Sequence, residues 1–511
     1  MSARPVCAAP IAARPSVARR SARALSSVVA PLTLLGMLAG SLTACGPFRR
    51  YQRYEPAPLD VRAPAVAAAY RARQLDDPAL RAFLRAAGVP PEPPPTDSGW
   101  TPRQLAVVAL YQRANVAEAR AALAAVRATT ITAGLRPEAT GSATVERASV
   151  VDEGRVSPWT LSLTTGLTFE TGGKRAARLA RARAGTLAAR LRLDAAGWAA
   201  AQAAAQAAVA LLAADRDVRG AEVEGGALRD VLTLLRTRYA EGRVSLADVA
   251  QAEAELRAAT LATAQARAAR TDGARALARA LAVPVAQIER LHIRPSPEEG
   301  CDAFDALPPD ALQVIALQRR FDVGAVLAEY AVSEADVRAE IARQYPDVTV
   351  GPGLAWDQGV RRWALGIGTP GLPRARNRGL IAEALARRAV QAVRVRVVQD
   401  SIVGDVDGAR ATCAITRTEV VAADSLRGAA ERRMALARAA YARGETGRTE
   451  VALADLALVR ADRARQRAAQ RRTLAGVALE TAVGVWLSGT PRGWPDLMAP
   501  ALPGATVGHR G

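Results

Sequence analysis

The chain contains 511 residues, half of them apolar but only 4% aromatic, and its 69 basic and 49 acidic residues give a net charge of +20. Two histidines and four scattered cysteines exclude a zinc finger, a multi-histidine metal site and a disulfide-rich fold, so we expect neither a metal nor a cofactor. A composition rich in alanine, leucine and arginine and poor in aromatics is typical of long helices packed on helices, and predicts a mainly α fold.

Residues 1–44 have the pattern of a secretory signal. The first 23 residues contain five arginines and no acid, and an apolar run over residues 24–42 follows. The run ends in Leu42-Thr43-Ala44-Cys45-Gly46, which resembles the lipobox of bacterial lipoproteins. We therefore expect lipidation of Cys45 and, because Gly46 follows it, a lipid-anchored protein of the cell outer membrane. The alternative is an ordinary signal peptide with a chance cysteine.

The remaining chain is predicted to contain two tandem repeats, at residues 101–284 and 311–490. Ala109-Leu110 recurs as Ala316-Leu317, and the Tyr-Ala-x-Gly turn that ends at Gly242 recurs at Gly444. Matches in the same order at a nearly constant spacing indicate a duplicated structural unit. Three segments lie outside the repeats. Residues 45–100 form an N-terminal lipid-anchored segment that includes a stiff proline-rich linker, residues 285–310 form the linker between the repeats, and residues 491–511 form a C-terminal tail.

Each repeat contains a long stretch without proline, at residues 174–283 and 374–490. Proline costs about 3 kcal/mol inside a helix, so these stretches can form long helices. Each is interrupted by its Tyr-Ala-x-Gly turn, which predicts a helical hairpin whose outgoing helix is roughly 100 Å long. The predicted outgoing helices are Lys174–Ala240 and Arg378–Ala442. The uncharged segment 195–214 is interpreted as an alanine-rich seam between helices rather than as a membrane span.

Before each hairpin the apolar pattern changes to a period of two, which predicts strand pairs at residues 139–169 and 346–369. Strands of this length with one apolar and one polar face are typical of transmembrane β-barrels, although a hairpin packed on the helices is the alternative. Four strands cannot close a barrel, so we expect three chains to share a barrel of twelve strands. The residues predicted to face lipid are Trp159, Leu161, Leu163, Leu167, Phe169, Trp363, Leu365 and Ile367.

Besides Cys45, for which lipidation is expected, the mature chain keeps two thiols, Cys301 and Cys413. They could pair in an oxidising periplasm, but the sequence does not show it. The interpretation favoured here is two unpaired buried thiols.

The chain resembles the TolC family of outer-membrane efflux channels over residues 55–490. The motifs that carry the resemblance are Ala316-Leu317-Gln318-Arg319-Arg320-Phe321-Asp322-Val323, Tyr345-Pro346-Asp347-Val348, Asn377-Arg378-Gly379-Leu380-Ile381-Ala382-Glu383-Ala384 and the two Tyr-Ala-x-Gly turns. The resemblance implies a homotrimer with a twelve-stranded barrel and a twelve-helix periplasmic tunnel. It also implies a passive exit duct for small toxic compounds, metal ions or secreted products, served by a periplasmic adaptor and an inner-membrane pump. The run 373–379 looks most like channels of heavy-metal and multidrug efflux systems.

In that family the hairpin tips close the tunnel and bind the adaptor. The corresponding residues here are Tyr239, Gly242, Arg243, Asp248, Tyr441, Gly444 and Glu450. Glu450 stands where the family often has aspartate, and Thr446 stands where it has arginine. Our hypothesis is that Asp248 and Glu450 hold the tips closed; the alternative is that both only favour the start of the returning helices through the helix dipole.

Three other classes of protein are alternatives to this interpretation. No nucleophile motif accompanies His292, so we predict no catalytic residues and no enzyme. The arginines are mixed with acids and lack a basic-aromatic cluster, so we expect no nucleic-acid partner. A periplasmic coiled-coil adaptor or scaffold lipoprotein is the remaining alternative, although such adaptors have one hairpin rather than two.

Overall fold

The computed structural model describes residues 61–89, 99–150, 153–154, 156–295, 301–305, 307–369 and 374–485. The chain divides after Val66 into two units. Of the first unit only residues 61–66 are described, and residues 63–66 belong to the first helix. All packing reported below belongs to the second unit. The signal segment, Cys45, the proline run and the tail 491–511 lie outside the described residues.

Two short helices, α1 (Ala63–Arg71) and α2 (Pro78–Ala86), occur where we predicted only an anchor and a linker. Asp77 caps α2 because its carboxylate accepts a 2.9 Å hydrogen bond from the Ala79 amide, and Pro78 occupies the first turn, where proline is tolerated. Leu80 and Leu84 are fully buried, so α2 is part of the core.

The two repeats have the same order of elements. The first consists of α3 (Pro102–Gln112), α4 (Ala114–Gly134), β1 (Thr140–Arg147), β2 (Trp159–Phe169), α5 (Lys174–Ala240) and α6 (Leu246–Leu281). The second consists of α9 (Pro309–Arg319), α10 (Phe321–Ala342), β3 (Val348–Asp357), β4 (Val360–Gly368), α11 (Arg374–Ala442) and α12 (Arg448–Val483). The short helices α7 (Val285–Glu289) and α8 (Asp302–Asp305) lie between them. The outgoing helix α5 has the predicted bounds, whereas α11 begins at Arg374, four residues before the predicted Arg378.

The strands form one antiparallel sheet in the order β1-β2-β3-β4. The pairing of β2 with β3 joins the two repeats, with Leu163 opposite Leu354 and Phe169 opposite Val348. Within the described chain, β1 and β4 have no strand on their outer sides. The sheet is therefore open, with two edges whose backbone groups are unpaired.

The four long helices pack side by side in the order α6-α5-α12-α11, so that α5 and α12 join the two hairpins. Helix α5 is the one described helix long and apolar enough to be a candidate membrane span, but more than half of its apolar window is buried inside the protein. Ala201 and Ala205 pack with Leu110 and Leu123 of α3 and α4, and Ala204 packs with Leu105 and Leu277. The uncharged segment thus forms a seam between helices.

The structure corrects the interpretation of the cysteines, because Cys301 and Cys413 form a disulfide with a Cα–Cα distance of 5.7 Å. Spacing in the sequence could not reveal the pair, since 112 residues separate the two positions. Both sulfurs lie in a core cluster with Leu312, Ile402 and Leu479, which holds residue 301 against α11 and α12. Arg472 of α12 binds the same segment through an ion pair with Asp302.

We expect the double substitution Cys301→Ser with Cys413→Ser to lower the free energy of unfolding by about 2–4 kcal/mol, because the disulfide closes a long loop in the unfolded chain. The apparent unfolding temperature in detergent, followed by circular dichroism, measures this change. A reducing agent should bring the unsubstituted protein to the same lower temperature and leave the variant unaffected. Equal unfolding temperatures for variant and oxidised protein would contradict a stabilising disulfide.

Candidate functional site

The sheet gathers all eight residues predicted to face lipid on one side. Leu163 lies opposite Leu354, and Leu354 lies opposite Trp363, so these three share a face. Val350 likewise lies between Leu167 and Ile367. The eight predicted residues are between 42% and 82% exposed. One side of the sheet is thus a continuous apolar surface that nothing in the described chain covers.

The other side of the sheet is polar. Thr160 donates a 3.0 Å hydrogen bond to Asp357, and the Ser142 and Thr164 hydroxyls lie 2.6 Å apart. Arg362 forms a 3.1 Å ion pair with the same Asp357. A sheet with one exposed apolar face and one polar face has the side-chain pattern of a strand set between lipid and an aqueous lumen.

Tryptophans lie toward one end of the apolar face. Trp159 begins β2 opposite Arg147, whose guanidinium lies 5.7 Å from the centre of the indole ring. Trp356 lies opposite Leu161, and Trp363 lies one pair further from that end, opposite Leu354. Aromatic side chains at one level of a lipid-exposed surface are typical of a membrane–water interface.

The strands connect to the long helices through a junction that joins the repeats. Gly172 (φ +64°) and Gly173 (φ +73°) adopt left-handed conformations between β2 and α5, and a Cβ at Gly172 would lie 2.6 Å from the Tyr345 ring. Lys174, the sole lysine of the chain, forms a 2.8 Å ion pair with Asp347. Asp347 also accepts a hydrogen bond from the Thr171 amide at 3.1 Å.

The first hairpin tip is held by local hydrogen bonds. Two residues beyond the end of α5 lies Gly242 (φ +73°), whose amide donates to the Tyr239 carbonyl at 2.9 Å. Helix α6 starts with a capping box, in which the Ser245 hydroxyl accepts from the Asp248 amide at 3.2 Å and the Asp248 carboxylate accepts from the Ser245 amide at 2.9 Å. The Ser245 hydroxyl also donates a 2.6 Å hydrogen bond to the Asp248 carboxylate, and this bond, followed by the one from the Ser245 amide, lowers the pKa of Asp248. Asp248 therefore acts locally, at the start of its own helix.

The second tip contains an additional contact between the hairpins. Glu450 accepts a 3.1 Å hydrogen bond from the Gly447 amide, so it also caps its own helix. Its two carboxylate oxygens accept hydrogen bonds of 2.9 and 3.1 Å from the guanidinium of Arg238, at the end of α5. The bond from Arg238 is the main reason that the pKa of Glu450 is lowered. Of the two acids in our hypothesis, only Glu450 has a contact of this kind with the other hairpin among the described residues.

Arg238 is thus a tip residue that the sequence analysis missed. It directly precedes Tyr239, and the corresponding residue of the second repeat is Ala440, so the repeat pattern gives no signal for it. A partner 212 positions away cannot be read from local spacing. The other predicted tip residues make short-range contacts: Arg243 lies 3.4 Å from Glu241, and Arg448 donates a 3.2 Å hydrogen bond to the Tyr441 hydroxyl.

Further ion pairs join the hairpins above the tips. Arg460 of α12 contacts both Glu224 at 3.0 Å and Glu255 at 2.8 Å. Arg463 pairs with Glu224 at 2.6 Å, and both of these side chains are largely buried. Arg467 pairs with Asp217 at 2.6 Å, and this bond lowers the pKa of the aspartate. Because a buried pair is screened less than a surface pair, the contact of Arg463 with Glu224 is less sensitive to salt than the tip contact.

The comparisons with known proteins agree with this arrangement. Residues 105–283, from α3 to just beyond α6, match the family model of outer membrane efflux proteins. Among solved structures, the fold is similar to the outer membrane protein VceC of Vibrio cholerae, with 20% identity, a TM-score of 0.59 and coverage of 75% of this chain and 96% of that one. The outer membrane channel CmeC of Campylobacter jejuni has 16% identity, a TM-score of 0.59 and coverage of 75% and 85%. The MtrE channel of Neisseria gonorrhoeae, solved in its open state, has 20% identity, a TM-score of 0.52 and coverage of 75% and 88%. No curated protein sequence matches the chain.

The chain has the mainly helical fold of the outer-membrane efflux channels. Its first repeat carries the outer membrane efflux protein domain, so the family resemblance predicted from the sequence is confirmed. The family consists of transport proteins rather than enzymes.

We expect Glu450→Gln to loosen both hairpin tips, because it removes the negative charge that pairs with Arg238, while the amide oxygen can still cap α12. Surface ion pairs contribute about 0–1 kcal/mol, so amide hydrogen exchange should accelerate by up to about fivefold in both tip peptides. Asp248→Asn is the matched control and should affect only the first tip. Faster exchange confined to the second tip of the Glu450 variant would contradict a link between the hairpins.

Proposed function

We propose that this protein is the passive outer-membrane exit duct of a tripartite efflux pump, working as a homotrimer. In this proposal the duct receives small toxic compounds, metal ions or secreted products from an inner-membrane pump through a periplasmic adaptor. Lipidation of Cys45 anchors the chain in the outer membrane. The barrel, the trimer, the anchor and the partners are all parts of the proposal.

The observation that carries the proposal is that a single chain leaves both its sheet and its row of long helices with free edges. The sheet ends in β1 and β4, and the row of long helices ends in α6 and α11. Unpaired strand edges cost several kcal/mol for each backbone group in lipid, so only a closed barrel is stable there. Copies of the same chain can cover the free edges of the sheet and of the helix row together, since β4 of one copy can pair with β1 of the next.

Three copies are the smallest number that fits. Two copies of the four-stranded sheet would give eight strands, which make the smallest barrels, whose interior is filled with side chains. Three copies give twelve strands and a lumen that the small polar side chains of the inner face, such as Ser142 and Thr164, can line. The exposed apolar face then contacts lipid, and the row of long helices closes into a tunnel.

The hairpin tips are the natural place for a gate and for the adaptor. They lie at the far end of α5 and α11, and the contact of Arg238 with Glu450 is partly exposed. A contact of at most about 1 kcal/mol can be replaced by contacts with a partner, so the tip can act as a two-state element. Asp248 and Glu450 have different roles in this proposal, because, of these two acids, only Glu450 contacts the other hairpin in the described part of the chain.

The mass of the detergent-extracted protein tests the proposal. A species of three chain masses in outer-membrane fractions, carrying acyl chains on Cys45, would support the trimeric duct. A water-soluble monomer would overturn it and favour the adaptor or scaffold alternative. A dimer or tetramer would overturn the twelve-stranded barrel.

Substitution within β4 tests which face meets lipid. We expect Leu365→Arg to reduce membrane insertion and trimer yield, because an arginine facing mid-bilayer costs about 2–4 kcal/mol in a transmembrane barrel. The neighbouring Ala364→Arg lies on the polar face and should insert normally. The fraction of protein that stays in urea-washed outer membranes measures both. Equal insertion of the two variants would contradict the assignment of the faces.

The tip contact predicts an acid-induced rise in channel conductance. Because Arg238 lowers the pKa of Glu450, the contact is complete above the ordinary carboxyl value and is lost as the pH falls through the lowered one. Conductance in planar bilayers should therefore be constant between about pH 5 and 8 and rise below about pH 4. The Glu450→Gln channel should already have a higher conductance at pH 7, and its conductance should change less in acid. A variant conductance equal to that of the unsubstituted channel at pH 7 would exclude this contact as part of the gate.

A further inference from the structure

The positive charge of the protein is concentrated in its four long helices. Together α5, α6, α11 and α12 contain 37 arginine and lysine residues and 21 aspartate and glutamate residues. Beyond residue 44, the rest of the chain carries nearly equal numbers of bases and acids. The excess charge of the mature chain therefore resides in the segments that form the proposed tunnel wall.

The acids of these helices are largely neutralised. At least fifteen of the 21 lie within 4.0 Å of an arginine in the structure. Many of these pairs bridge neighbouring helices, such as Arg270 with Asp215 and Arg465 with Asp424. The carboxylates are thus used in holding the helices together, and they contribute little net negative charge to the surface.

Several arginines have no acidic partner among the described residues. Six of them lie in the halves of the outgoing helices nearer the tips: Arg216, Arg219 and Arg229 on α5, and Arg410, Arg432 and Arg433 on α11. Arg438, Arg183 and Arg396 are further examples on the same helices. All are at least partly exposed. The net surface charge along the long helices is therefore that of free guanidinium groups.

A groove between α5 and α12 is lined by more arginines than acids. It has a volume of about 530 Å³, and its lining includes Arg216, Arg219, Arg463 and Arg465 but one acid, Asp462. Asp462 is itself paired with Arg427 at 2.6 Å. Gly220 opens the groove, since a Cβ there would lie 3.3 Å from the Arg463 side chain.

We propose that the arginine excess of the long helices makes the duct selective for anionic solutes over cationic ones. This inference rests on the duct function proposed above. A confined passage whose walls carry one sign of charge concentrates ions of the opposite sign and repels the others. The cargo class favoured by this wall is small organic or inorganic anions, and free metal cations are disfavoured.

The test is the ion selectivity of the full-length protein in planar bilayers. Under a gradient of dilute KCl, the reversal potential should give a chloride-to-potassium permeability ratio of about two or more. The ratio should fall toward one as the salt approaches 1 M, because the Debye length then shrinks to about 3 Å. A ratio below one in dilute salt would overturn the inference.

Two triple variants locate the source of the selectivity. They are Arg216→Gln with Arg219→Gln and Arg229→Gln, and Arg410→Gln with Arg432→Gln and Arg433→Gln. A matched control removes the same charge from exposed positions outside the long helices: Arg85→Gln, Arg127→Gln and Arg136→Gln. A lower permeability ratio in one or both helix variants, with an unchanged ratio in the control, supports the inference.

The remaining outcomes overturn it. If neither helix variant changes the ratio, the long helices do not set the selectivity. If the control changes it as much as they do, the net charge of the protein is responsible. Failure of the duct proposal is distinguishable, because it would appear as absent conductance or absent trimers in the unsubstituted protein.

Discussion

The pairing of β2 with β3 is the interaction on which the rest of the structure depends. It joins two repeats that are far apart in sequence, and it places α5, which follows β2, beside α10, which precedes β3. The junction of Lys174 with Asp347 fixes the same relation at the base of the sheet. Once the repeats are aligned there, the ion pairs of Arg460, Arg463 and Arg467 can form along the hairpins.

The same pairing leaves a constraint that a single chain cannot satisfy. A four-stranded sheet with an exposed apolar face and two free edges is stable neither in water nor in lipid, because lipid offers no hydrogen-bond partners to strand edges. Association of copies resolves the free edges of the sheet and of the helix row together. The proposed trimer therefore follows from unsatisfied backbone groups rather than from a specific pair of side chains.

The charged residues of the long helices have two roles: they form ion pairs between helices, and they set the surface potential. Acids such as Asp217 and Glu224 form inter-helix ion pairs, which favour one register of the hairpins. The arginines that exceed them, such as Arg216 and Arg432, set the electrostatic potential of the surface. At the tip, Glu450 combines a helix cap with the contact to Arg238, so a small change in one side chain affects both a local and a long-range contact.

The sequence by itself determined the features that depend on local periodicity. The proline-free stretch and the glycine turn defined α5 to the residue, and the alternation around Leu163 and Leu365 defined the two faces of the strands. These patterns are readable because backbone geometry repeats every 3.6 or 2 residues. Only the tertiary structure decided the disulfide of Cys301 with Cys413, the pairing of β2 with β3 and the partner of Glu450. Each of these joins residues more than a hundred positions apart, and such contacts depend on how the helices pack rather than on any local pattern.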